Sequence, residues 1–282
     1  IGINIGAFLS ALIVGGVAEV YGWHYGFGLA GIGMLIGQAV FMWGRQFLTG
    51  VGEATVDLSP AEAEAKKRPL NAVEKDRMKV MMISFLLIVV FWGAFEQAGG
   101  LMNIYTAQKT DLSLSFSIPF IGDAIPASWF QSVNAFFIIT LGAPIAGFWY
   151  KWKKKGKESS SIFKMATGVI IMGWGFLFMT AASLQFEAEG SSAMYWLVLA
   201  YLFHTIGELC ASPVALSYIT KLAPLKYASL MMGVYFAATG VGNKVAGWVG
   251  EYSQSAGELE IFTGIAIFCT IIGFLVIALL KP

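Results

Sequence analysis

The stretch Val89–Tyr105, VVFWGAFEQAGGLMNIY, decides the fold. Apolar and aromatic residues fill it without a polar turn, so it reads as part of a membrane-spanning helix. Inside that helix lies one carboxylate, Glu96. A charge at the centre of a membrane helix costs ~2.5–3.5 kcal/mol on insertion scales. A chain that keeps one compensates with a partner, a bound proton or a water-filled cavity. The rest of the sequence therefore reads as a scaffold around Glu96 and a second such carboxylate, Glu208.

The composition agrees. Hydrophobic residues make up 57% of the 282 and charged residues 12%, with mean hydropathy +0.71, far from a soluble balance. The net charge of +1 gives no field that would recruit nucleic acid or an acidic partner. Cys210 and Cys269 sit in apolar runs without metal or redox spacing and read as small core residues. The chain opens at Ile1 inside an apolar run that lacks the basic flank and cleavage site of a signal peptide, and reads as entered partway.

Apolar runs of membrane-crossing length fall near 1–20, 25–46, 79–106, 128–149, 162–184, 194–220, 228–249 and 261–280. Each is expected to be helical, because lipid leaves no other way to satisfy the backbone. Between them, Thr49–Arg77 reads as a charged linker, Ala107–Ala127 as a loop and Lys151–Lys157 (KWKKKGK) as a basic turn. Alternating the eight spans puts every Lys and Arg except Lys109 and Lys244 at or beside one face of the membrane. Cytoplasmic loops retain Lys and Arg, so that face is cytoplasmic. The opposite loops hold Glu19, Asp111, Asp123, Glu187, Glu189, Glu251, Glu258 and Glu260. Glycines at helical spacing, among them Gly168, Gly173, Gly175, Gly233, Gly240, Gly242 and Gly247, are expected mainly to let helices pack backbone to backbone.

Few polar groups remain at depth: Asn4, Glu96, Gln97, Asn134, His204, Glu208, Ser212, Asn243 and Lys244. Ionisable groups on several helices point to one internal aqueous cavity, the kind of site that secondary transporters place between two rocking bundles. His204, Glu208 and Ser212 follow at intervals of four and are expected on one face. Glu96 either works in the cavity or forms a static ion pair with Lys244. For Lys244 itself the readings are a counter-charge, a snorkelling side chain or a substrate contact. Asn4 and Asn134 line the cavity or bond between helices. His24 is placed in a loop, with no metal spacing to His204. Phosphate-binding loops, HExxH, nucleophile elbows and paired cysteines are absent from the sequence, which speaks against an enzyme.

Three stretches together resemble the proton-dependent oligopeptide transporter family of the major facilitator superfamily. IGINIGAF, at the start, is similar to the family's fifth-helix INxG signature. FWGAFEQAGG, Phe91–Gly100, is similar to its seventh-helix FWxxFEQxG motif. GELCASPVALSYITKLAP, Gly207–Pro224, followed by MMGVYF, Met231–Phe236, is similar to its tenth and eleventh helices. The resemblance implies an all-α polytopic membrane protein, a major-facilitator bundle of which about eight of twelve core helices are present. Residues 1–48 would be the last two helices of the N-terminal bundle, 49–77 a cytoplasmic linker and 78–282 the C-terminal six-helix bundle. Inner-membrane location in a bacterium follows from the same likeness.

By resemblance, Glu96 serves proton coupling and the outer gate, and Glu208 engages the peptide amino group and the inner gate. Asn4 and Asn134 match asparagines of the peptide site, with Ser212 one turn from Glu208. Tyr235 stands where many members carry tryptophan. Trp92, His204 and Lys244 are auxiliary candidates, Trp92 reading best as a lipid-facing or core residue. The implied function is proton-coupled symport of di- and tripeptides with no cofactor beyond the coupling protons. The first-helix ExxERFxYY motif and the fourth-helix lysine that supply cations to the two gates have no counterpart in this sequence. The N-terminal helices that carry them are therefore implied partners, and Thr49–Arg77 leaves no room for the two extra helices of many bacterial members. Rival readings are a related carrier of nitrate or another small solute, and a peptide-binding membrane scaffold that moves nothing.

Overall fold

A computed structural model describes residues 2–51 and 67–280. Eight long helical segments follow one another: α1 (Gly2–Tyr21), α2 (Trp23–Leu48), α3 (Ala72–Lys109), α4 (Trp129–Lys154), α5 (Ser161–Glu189), α6 (Met194–Leu222), α7 (Ala228–Ala256) and α8 (Glu258–Leu279). Seven of them are long and apolar enough to cross a membrane. The exception is α7, which corresponds to the expected span 228–249. It is a 29-residue helix whose apolar character is diluted by Gly, Asn, Lys and Gln residues. Pro144 and Pro213 lie inside α4 and α6, as expected of membrane helices whose neighbours stabilise a kink.

The core sits around α5, which packs on α6 and α8 and is the most buried of the spans, whereas α2 is almost wholly exposed. Close packing comes from small residues. A Cβ on Gly168 or Gly207 would stand 2.6 Å from the other's carbonyl oxygen, so α5 and α6 touch backbone to backbone. At the α3–α7 crossing, a Cβ on Gly242 would meet the Val89 carbonyl at 3.0 Å. Gly233, Gly240 and Gly247 behave otherwise: among the described residues nothing lies within 4 Å of a Cβ at any of them, so they line a face of α7 left open by those residues.

Several sequence boundaries shift. The linker expected over 49–77 gives way to helix at Ala72, because Asn71 and Glu74 form a reciprocal capping box and Arg68 grips Glu74 through two bonds of 2.8 and 2.9 Å. Its residues 52–66 lie outside the described residues. His24 is in the opening turn of α2, not in a loop. The loop 107–127 holds a hairpin of β2 (Ser113–Ile118) and β3 (Gly122–Ala124), and β1 (Thr110–Asp111) pairs in parallel with β4 (Ser192–Ala193). A 2.7 Å ion pair between Lys109 and Glu258 draws the end of α3 to the start of α8.

Glu19, expected in a loop, is in the last turn of α1 and does the work of a helix cap for another element. Its carboxylate accepts the backbone N–H of Ala127 at 2.9 Å and of Ser128 at 2.8 Å, at the start of α4. Both amides precede the first helical residue, Trp129, whose own first N–H groups are taken by backbone carbonyls, so Glu19 satisfies donors that lie beyond the helical ladder. Beside it α1 carries a π-helical turn, Ala11–Gly15. The Leu12 carbonyl within that turn accepts the Trp129 indole N–H at 2.9 Å. Contacts at both ends of this corner fix α1 on α4, the helix that carries Asn134.

Candidate functional site

Glu208 lies in the middle of α6 and is half-buried. The side-chain amide of Asn134, on α4, donates to its Oε2 at 2.9 Å and to the Thr205 hydroxyl at 3.1 Å. Thr205, fully buried, gives its only proton to the Tyr201 carbonyl at 2.7 Å. Its oxygen can then only accept, so the Asn134 atom facing it must be the NH2 group and not the carbonyl. The amide is thereby oriented: both of its hydrogens are engaged and Nδ2 is directed at Glu208. Tyr235, on α7, turns its hydroxyl toward Trp92 and Ser212 within electrostatic range of Glu208. Four helices thus bring Trp92, Asn134, Glu208, Ser212 and Tyr235 to one neighbourhood.

His204 does not join them. An advance of four residues turns a helix by about 40° beyond a full circle, so His204 and Ser212 stand about 80° apart around α6. The His204 ring packs against α5 instead, 4.4 Å from the Phe176 ring and against Gly175, where a Cβ would come within 2.9 Å of Nε2. It is fully buried and neither ring nitrogen has a hydrogen-bond partner among the described residues. Thr205, one residue on, faces α4 and meets Asn134, the residue that binds Glu208. The four-residue rule had selected the wrong member of that pair.

Glu96 occupies a break in α3. The α-helix ends at Phe95, a 3₁₀ turn covers Glu96–Ala98, and helix resumes at Leu101 after the Gly99–Gly100 pair. The sequence had read as a continuous span; the adjacent glycines were the signal of the break. Three hydrogen bonds pin the break. Buried Gln97 donates to the carbonyls of Gly93 at 3.2 Å and Ala246 at 3.1 Å, and the Tyr201 hydroxyl donates to the Ala98 carbonyl at 3.3 Å. Glu96 itself is half-buried and borders a cavity of about 350 Å³ between α3 and α7, with Asn243 and Gln254 on its other wall.

Among the described residues Glu96 has no ion pair, and the static pair with Lys244 is not formed. Lys244 is exposed and places its ammonium 5.4 Å from the centre of the Trp248 ring. Trp92 is half-buried, packed edge-on against Phe91 and Phe95 at 5.5 and 5.4 Å. Asn4, half-buried on α1, makes no side-chain hydrogen bond to a described residue and so is not tied into the Glu208 cluster. Gln97, Thr205 and Tyr201 are the contributors that sequence reading did not single out for a role. Among the described residues no cluster of His, Cys, Asp or Glu could hold a metal ion.

A family model described as the POT family matches residues 1–58 and 59–260. The chain belongs to the POT family. This POT-family chain is 30% identical to the peptide transporter YePEPT of Yersinia enterocolitica, over 96% of its own length and 63% of that protein's. It is 27% identical to a di-/tripeptide transporter of Lactococcus lactis subsp. cremoris, over all of its length and 67% of that protein's. Among solved structures, a peptide transporter of the family in complex with sulfate matches at TM-score 0.83 and 26% identity, covering 99% of this chain and 65% of that one. A mutant form of a POT peptide transporter in complex with alafosfalin matches at TM-score 0.82 and 26% identity. The POT-family chain therefore spans just under two thirds of the Yersinia protein and of these solved transporters, and has their helical membrane fold.

Proposed function

We propose that the protein formed with this chain is a proton-coupled symporter of di- and tripeptides that works by alternating access. The observation that carries the reading is the oriented Asn134–Glu208 pair. A carboxylate held by an amide at membrane depth, with Ser212 and Tyr235 beside it, suits the ammonium end of a zwitterion. The names of the relatives, transporters of peptides and of di-/tripeptides, support the same cargo. Asn4, on the helix docked to α4, would complete the peptide site from the N-terminal side. Glu96 would carry the coupling proton at the outer gate, its unpaired carboxylate at a helix break being free to exchange a proton and a cationic partner. In this reading residues 1–48 belong to an N-terminal bundle completed by further helices, and 78–282 form the C-terminal bundle. The protein sits in the inner membrane of a bacterium with residues 49–77 and the C-terminus in the cytoplasm.

The test is uptake by the complete protein in liposomes with an acidic exterior and an inside-negative potential. Radiolabelled dialanine is expected to accumulate above its external concentration and to leave when a protonophore is added. Binding of dialanine without accumulation, or accumulation of nitrate in its place, would overturn the reading.

A further inference from the structure

A cluster of positive charge lies away from the Glu208 site, where the ends of α4 and α6 meet the start of α5. A cavity of about 550 Å³ there is lined by Lys153, Lys164 and Lys221, one from each helix, with Ser161 and Ser217. Among the described residues no carboxylate lines it, and none of the three lysines forms a salt bridge. Lys153 and Lys221 occupy last turns, where the partial negative charge of helix carbonyls favours a cation. Lys164 stands in the opening turn of α5, where the helix contributes partial positive charge, and it is half-buried. A bound anion would offset the cost of that placement.

The walls say which kind of anion. Trp149 and Tyr150 flank the lysines, and the Lys164 ammonium lies 5.3 Å from the centre of the Trp149 ring. The Trp149 indole is 8% exposed and its N–H has no hydrogen-bond partner among the described residues. Ile145, Leu209 and Val214 continue the cavity along the apolar helix flanks. Cations and hydroxyls at the mouth, an aromatic collar and an apolar groove behind match the layers of a phospholipid at a membrane interface. The neighbouring Lys157 shows the contrast, since it stacks on Trp152 at 4.2 Å in the turn and lines no part of the cavity.

We propose that this cavity binds a phosphate-bearing anion, supplied by the headgroup of an anionic phospholipid. Two arms separate the sources. The complete protein is reconstituted in nanodiscs of phosphatidylcholine with and without phosphatidylglycerol, and bound lipid is counted by native mass spectrometry. In parallel its thermal stability is followed while inorganic phosphate is titrated into pure phosphatidylcholine discs. Retention of phosphatidylglycerol over phosphatidylcholine supports the lipid site, and each lysine lost is expected to weaken it about fivefold. Lys164→Ala and Lys221→Glu are the variants, with Lys164→Arg keeping the charge and the retention. Stabilisation by free phosphate alone, abolished by Lys164→Ala, overturns the lipid source. Equal retention in wild type and Lys221→Glu, or no preference in either arm, overturns the site.

Discussion

Glu208 and Glu96 are both set in apolar helices, yet the chain surrounds them in opposite ways. Glu208 accepts from Asn134, whose amide is oriented by Thr205, which is itself anchored on Tyr201. Glu96 sits at a break whose backbone is pinned on either side by Gln97 and Tyr201, while its carboxylate pairs with nothing among the described residues. One site is pre-organised and the other is held open. On the proposed function, the difference suits a coupled carrier's two charges: a fixed acceptor for cargo, and a group whose proton and partner change during the cycle.

The largest effect is expected at the fixed site. Glu208→Gln keeps an acceptor for Asn134 but removes the charge, and charge-assisted hydrogen bonds contribute ~1.5–3 kcal/mol. Uptake efficiency, kcat/KM for dialanine, should fall roughly 10–100-fold by that measure. An unchanged value would remove Glu208 from the peptide site. A smaller loss is expected one step behind it. Thr205→Val is nearly isosteric but leaves one Asn134 N–H without an acceptor, a deficit of ~1 kcal/mol or about fivefold in KM. Thr205→Ser should restore it, and kcat should change less than KM. Failure of the serine variant to rescue would show that Thr205 packs and does not orient.

The smallest effect sharpens the comparison from outside the membrane. Asp111 is exposed yet partnered: the hydroxyl and the N–H of Ser113 both donate to it, at 2.6 and 3.0 Å, and hold its carboxyl below the usual range. A depressed folded-state value contributes stability above the ordinary Asp value near 3.9, and that stability is lost as pH falls through the folded value. Protection of the Ser113 amide from hydrogen exchange should therefore hold at pH 5 and fade below pH 4, with Asp111→Asn showing no such step. A step that survives the substitution would assign it to another group.

The spans, the carboxylates at depth and the family were legible in the sequence because each rests on residue type and local order. Partners were not, because they depend on which helix stands opposite. His204 and Thr205 are adjacent in sequence, and only the placement of α5 beside one and α4 beside the other decides which serves Glu208. Glu19 shows the same limit: nothing local to it announces that it caps a helix more than a hundred residues away. The break at Glu96 lies between these cases, since Gly99–Gly100 marked it and the surrounding apolar run concealed it. α7 forms the helix expected over 228–249, but its glycines and amides leave it less apolar than the other seven.

The most direct test of the account compares Glu96→Gln with wild type in the same liposomes, measuring proton-driven dialanine accumulation and counterflow exchange side by side. A group that only carries the coupling proton should be replaceable by a neutral amide for exchange and not for accumulation. Driven accumulation is expected to disappear while counterflow persists. Accumulation at the wild-type level in Glu96→Gln would contradict the central claim.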